Sequence, residues 1–99
     1  MTDSAALREL RRIPGVGPAV AADLLRLGIR RVADLRGADP LALYEALCRD
    51  QGTRVDRCML YTFRCAVYFA TEERHDPDLL LWWSWKDSGP AFARGASSE

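Results

Sequence analysis

The run Ile13-Pro14-Gly15-Val16-Gly17-Pro18 is where residue types and spacing suit specific chemistry. Two glycines one residue apart make a turn that tolerates positive φ, and their bare Cα atoms let an anion approach backbone N–H groups closely. Pro18 fits the first turn of a following helix, where its missing N–H would have had no partner. A helix starting there aims orphan N–H donors and a partial positive charge back at the turn. The chemistry on offer is capture of a phosphate by backbone. Gly15, Val16, Gly17 and Ala19 are the candidate contacts, with Arg11 and Arg12 just upstream as auxiliary charges.

The wider pattern is Leu10-x-x-Ile13-Pro14-Gly15-Val16-Gly17-Pro18-x-x-Ala21-x-x-Leu24-x-x-Leu27-Gly28-Ile29. It resembles the helix-hairpin-helix motif of proteins that bind nucleic-acid backbones without reading sequence. The resemblance implies contacts to phosphate, which carry no base information. Many such hairpins place Lys or Arg just after the second glycine; here Pro18, Ala19, Val20 and Ala21 are all uncharged. The plainer use of the glycines is to turn the chain between two packed helices. At an offset of 22 residues, Leu35-Arg36-Gly37-Ala38-Asp39-Pro40 repeats the first turn. Asp39 stands where the first turn has Gly17. Its carboxylate is expected to cap its own helix, so the second turn is expected to bind no phosphate.

Arg57, Tyr61, Arg64 and Tyr68, spaced 4, 3 and 4, form a second candidate, a basic and aromatic stripe along one helix face. Guanidiniums interleaved with rings can grip a backbone and stack bases. The preferred reading is plainer: a solvated helix edge with Arg stems packed on Tyr rings. Cys48, Cys58, Cys65 and His75 offer zinc-type ligands, but their gaps match no close ligand pair, and buried thiols pack as small apolar groups. No metal and no cofactor is expected. Cys58 and Cys65 lie two turns apart on one helix, ~10 Å, too far for a disulfide. His75 is expected at a helix end, exposed. No nucleophile elbow, P-loop, dinucleotide fingerprint or His-Glu-x-x-His occurs, so the chain is read as a binding protein and not an enzyme.

These groups need helices to hold them. Apolar spacing and breakers predict helices over 4–12, 18–27, 31–35, 40–49, 56–74 and 77–86, with no strand-like alternation. The expected fold is all-α: two hairpin repeats over about 4–29 and 31–50, then a long central helix and a terminal one. On that terminal helix Leu79, Trp82 and Trp83 share one side and close the core, while Leu81 and Trp85 point elsewhere. Exposed Trp surface there would suit a protein partner or self-association. Residues 88–99, rich in Gly, Ala and Ser, are expected to be a flexible tail.

With 99 residues, one domain is expected. Fourteen basic residues balance fourteen acidic ones, which excludes coating nucleic acid by charge alone. Six arginines against two acids between Arg8 and Arg31 place the local basic excess near the first turn. No apolar run approaches bilayer length and the N-terminus lacks a leader pattern, so a cytoplasmic location is expected.

Downstream, Asp34-Leu35-Arg36-Gly37, Asp39-Pro40, Leu43-Tyr44, Asp56-Arg57-Cys58, Leu60-Tyr61, Phe63-Arg64-Cys65-Ala66-Val67-Tyr68 and Trp82-Trp83-Ser84-Trp85-Lys86-Asp87 resemble the small bacterial pathogenicity locus family. The likeness covers residues 7–87. Relatives there are sometimes labelled mitomycin resistance proteins, which implies a link to DNA damage. The combined expectation is sequence-independent DNA binding at the first turn. The alternative is a protein-interaction adaptor with the hairpins as scaffold and Trp82, Trp83 and Trp85 as contact surface.

Overall fold

The computed structural model describes residues 3–87. Their elements are helices α1 (Asp3–Leu10), α2 (Pro18–Arg26), α3 (Pro40–Gln51) and α4 (Cys58–Thr71), with 3-10 turns η1 (Val32–Leu35), η2 (Pro77–Leu80) and η3 (Trp82–Trp85). The fold is all-α, with no strand among the described residues. No helix among them is long and apolar enough to cross a membrane. The expected tail over 88–99 lies outside the described residues.

Local chemistry fixes the helix ends. The Asp39 carboxylate accepts from the Leu41 N–H at 3.0 Å and starts α3, and Asp56 accepts from the Cys58 N–H at 2.9 Å and starts α4. At the end of α2, Gly28 takes φ +90. Its N–H reaches the Leu25 carbonyl and the Ile29 N–H the Leu24 carbonyl, both at 3.0 Å. That pairing closes the helix with a left-handed glycine.

Helix α4 is the centre of the molecule. Leu60, Phe63, Cys65 and Ala66 on it are fully buried. One side packs on α3 and η1, where Leu35 and Leu47 are also fully buried. The other side carries η2 and η3. Two packed faces explain why the helix is apolar over most of its circumference.

The two turns agree at their key positions. Ile13 and Leu35 are both buried, Gly15 and Gly37 both take positive φ (+82 and +68), and Pro18 and Pro40 both open helices. The elements leading into them differ, an eight-residue α-helix before one and a four-residue 3-10 turn before the other.

Three expectations need correction. The terminal segment is not an α-helix but two 3-10 turns separated at Leu81, whose backbone is extended (φ −101, ψ 121). Side chains take the carbonyls that α-helical bonding would need. Ser84 Oγ donates to the Asp78 carbonyl at 2.8 Å, and Trp85 Nε1 donates to the Leu79 carbonyl at 2.8 Å. Trp85 is therefore the buried tryptophan, at 8% exposure, while Trp83 is 50% exposed. Second, α4 stops at Thr71, short of Arg74. Glu72 and Glu73 disfavour the negative end of the helix dipole, and the last carbonyls find other donors: His75 Nε2–H reaches Phe69 at 2.8 Å and Arg36 Nε reaches Ala70 at 3.3 Å. Third, His75 is half-buried rather than exposed, its ring stacked on Phe69 with centroids 4.7 Å apart.

Candidate functional site

The first turn is held from below by its own apolar residues. Ile13 and Val16 are 1% and 6% exposed, and the Val16 N–H donates to the Ile13 carbonyl at 3.1 Å. Gly15 supplies the positive φ that an L side chain resists. A Cβ there would meet only Trp82 Cδ1, at 3.9 Å, so glycine is needed for conformation and not for space. That distance places the Trp82 ring on the Gly15 side of the turn.

Gly17 is different. Its backbone (φ −91, ψ −172) is open to any residue, and a Cβ would meet nothing within 4 Å. What the glycine does is leave α2 without a side-chain cap. Pro18 has no N–H, the Ala21 N–H is used by the Gly17 carbonyl at 2.9 Å, and the Ala19 and Val20 N–H groups meet no acceptor among the described residues. Two backbone donors at the positive end of a nine-residue helix thus have no partner among the described residues. The second turn is closed by comparison: Asp39 occupies the Leu41 N–H, and the Gly37 N–H donates to Thr71 Oγ1 at 3.2 Å, docking that turn on the end of α4.

Of the residues expected at the site, Gly15, Gly17 and Ala19 lie together at its mouth. Val16 turns its side chain into the core and spends its N–H within the turn. The donor that sequence reasoning missed is Val20, legible from counting N–H groups past Pro18. The basic excess is largely paired. Arg12 bonds Glu9 at 3.0 Å, Arg30 reaches Asp3 at 3.0 Å, and Arg31 and Arg26 pair with Asp34 and Asp50. Arg8 and Arg11 are exposed and form no ion pair with a described residue. Glu9 titrates below the usual carboxylate range because of the Arg12 guanidinium and the Val32 N–H. Such exposed pairs are worth little and rearrange easily around a competing phosphate.

The stripe on α4 faces η2, η3 and Asp87, not solvent alone. Arg57 and Arg64 both bind the Asp87 carboxylate, at 2.7 and 2.9 Å, and the Tyr68 hydroxyl accepts from the Asp76 N–H at 2.8 Å. Cys65 and Trp85 form a small second core there, lined by Tyr61, Tyr68, Leu79 and Trp82. The four zinc-type ligands are not gathered, and no group of three or more His, Cys, Asp or Glu among the described residues is placed to hold a metal. Cys48 is half-buried, Cys58 exposed and Cys65 buried.

Comparison with known proteins identifies relatives at the level of family. The family model described as pathogenicity locus matches residues 3–90. Mitomycin resistance protein McrB of Streptomyces lavendulae is 41% identical over 59 residues, 60% of this chain and 56% of that protein. The chain thus spans little more than half the length of that relative. No solved structure matches.

Proposed function

The chain belongs to the pathogenicity locus family, and from that premise we propose that it binds DNA through the phosphate backbone at the turn between α1 and α2, without reading sequence. The observation that carries this reading is the contrast between two otherwise matching turns. Where Asp39 caps the Leu41 N–H of α3, Gly17 leaves the corresponding Ala19 donor of α2 open, beside the Val20 donor. Arg8, Arg11 and Arg12 supply charge nearby, and the turn resembles one hairpin of a tandem helix-hairpin-helix module. The site consists of backbone donors without a nucleophile or a base, which suits binding and not catalysis, and it calls for no cofactor. The relative's name, mitomycin resistance protein, supports a role in the response to DNA damage.

The test is fluorescence anisotropy of labelled duplex and single-stranded DNA at several salt concentrations. Contact with one to three phosphates predicts weak binding, with log K falling against log salt at a slope of about −1 to −3. No salt-sensitive binding at high micromolar protein would refute the reading. One observation favours the adaptor alternative: Trp83 and Leu81 are 50% and 37% exposed side by side. A mass that rises with concentration in the absence of DNA would support that reading instead.

A further inference from the structure

Asp87 sits in an anion cradle. Arg57 Nε donates to its Oδ2 at 2.7 Å, Arg64 Nη1 to its Oδ1 at 2.9 Å, and the Tyr61 hydroxyl to Oδ2 at 3.4 Å. Charge-assisted bonds from two guanidiniums to one anion are the geometry that also recognises phosphate. The cradle is anchored apart from its occupant. Arg64 is only 12% exposed, donates to the Trp85 carbonyl at 2.9 Å and lies 5.7 Å from the Tyr61 ring centroid. The occupant is held less firmly. Asp87 is 45% exposed, and its side chain can swing to solvent while Trp85 stays packed on Cys65.

We propose that Arg57, Tyr61 and Arg64 form a second phosphate site for the DNA backbone, and that Asp87 is its stand-in ligand, supplied by the chain itself. This rests on the DNA-binding reading and extends it to a second point of contact. Trp82 Cδ1 lies 3.9 Å from where a Cβ on Gly15 would stand, and Asp87 fills the cradle five residues later. The backbone from Trp82 to Asp87 reaches at most ~18 Å, so a short strap runs from beside Gly15 to the cradle. Arg57 also lines an open groove of about 740 Å³ with Arg49 and Arg54, opposed by the single carboxylate of Glu45. A strand leaving the cradle therefore meets further positive charge. Because the carboxylate competes from within, at a high effective concentration, a free phosphate displaces it poorly. A strand already held at the first turn displaces it readily. Asp87 thus favours polyanions over single phosphates.

The test is a gain of binding. Asp87→Asn keeps the shape and removes the competing charge; Asp78→Asn removes one charge nearby, from a carboxylate outside the cradle. Asp87→Asn is expected to bind labelled DNA three- to tenfold more tightly with a salt slope steeper by about 1, and Asp78→Asn to match the wild type. Adding Arg57→Gln and Arg64→Gln should abolish the gain. No gain in a variant still folded at the assay temperature, an equal gain in Asp78→Asn, or a gain that survives loss of both arginines each overturns the proposal. Should Asp87→Asn fail to fold, nitrogen NMR of wild-type arginine side chains decides. Saturating oligonucleotide must move the Arg57 and Arg64 Nε signals, and unmoved signals overturn the proposal. Gly17→Asp, measured alongside, separates the two sites. Loss there with no effect at Asp87 fails only the second site, and the converse fails only the first.

Discussion

Replacing Gly17 with Asp copies into the first turn the residue that caps α3. The backbone already allows it, since Gly17 is extended (φ −91, ψ −172), a conformation any residue adopts, and a Cβ there meets nothing within 4 Å. The new carboxylate is positioned to accept from the Ala19 N–H as Asp39 accepts from the Leu41 N–H. Asp over Gly at an N-cap is worth a few tenths of a kcal/mol, and its charge at the dipole's positive end adds ~0.3–1 kcal/mol. The variant should therefore be about 1 kcal/mol more stable and melt roughly 4–8 °C higher. Its DNA binding should move the other way. Losing a charge-assisted contact costs about 1.5–3 kcal/mol, or roughly ten- to a hundredfold in affinity, and the salt slope should flatten by about 1. Thermal melts by circular dichroism and anisotropy titrations on the same preparations give both numbers. A variant that melts higher and binds DNA as well as the wild type refutes a phosphate at this turn. One that melts lower refutes the capping geometry itself.

Gly15→Ala forces an L residue to φ +82 and should cost about 1–2 kcal/mol, read as a lower melting temperature; an unchanged melt would mean that the turn can adopt another conformation. Burial pushes the Cys65 thiol up to about 11, while Cys58 is exposed and raised by its hydrogen bond to Asp56. A short iodoacetamide pulse at neutral pH should label Cys58 first and spare Cys65 until the protein unfolds, as mass spectrometry can show. Labelling of Cys65 in the folded protein would contradict its packing. The Arg57 and Arg64 guanidiniums lower the Asp87 carboxyl to about 2. Its folded pKa lies below its unfolded one, so its contribution is complete above about pH 4–5 and fades as the pH falls towards 2. All three tryptophans lie between Trp82 and Trp85, so near-ultraviolet circular dichroism should report this acid transition, and Asp87→Asn should lose it. An identical acid profile in that variant would refute the pairing.

Much of this was legible in the sequence because breakers act locally. Gly15, Gly28 and Gly37 fix turns by their positive φ, Pro18 and Pro40 open helices, and the Asp39 carboxylate caps one, all by local chemistry that the structure keeps. The terminal segment was not legible for the opposite reason. Its helical spacing is sound, but the Ser84 hydroxyl and the Trp85 indole compete for the carbonyls of Asp78 and Leu79, and only the assembled fold shows which donor wins. The stripe from Arg57 to Tyr68 could be read as one face, but its partner, Asp87, is 23 residues beyond Arg64. No periodicity reports such a contact. The charge excess near the N-terminus misleads in the same way, since Asp34 and Asp50 come from outside that window to pair with Arg31 and Arg26.

The most direct test of phosphate capture at the first turn is an amide NMR titration of the wild-type protein with a short unlabelled DNA duplex. The Gly17, Ala19 and Val20 amides should shift together, saturably, and recover as salt is raised, while the capped Leu41 amide stays still. If those three amides are unmoved at saturation while signals around Trp83 shift, the DNA is bound elsewhere and the account of the first turn is wrong.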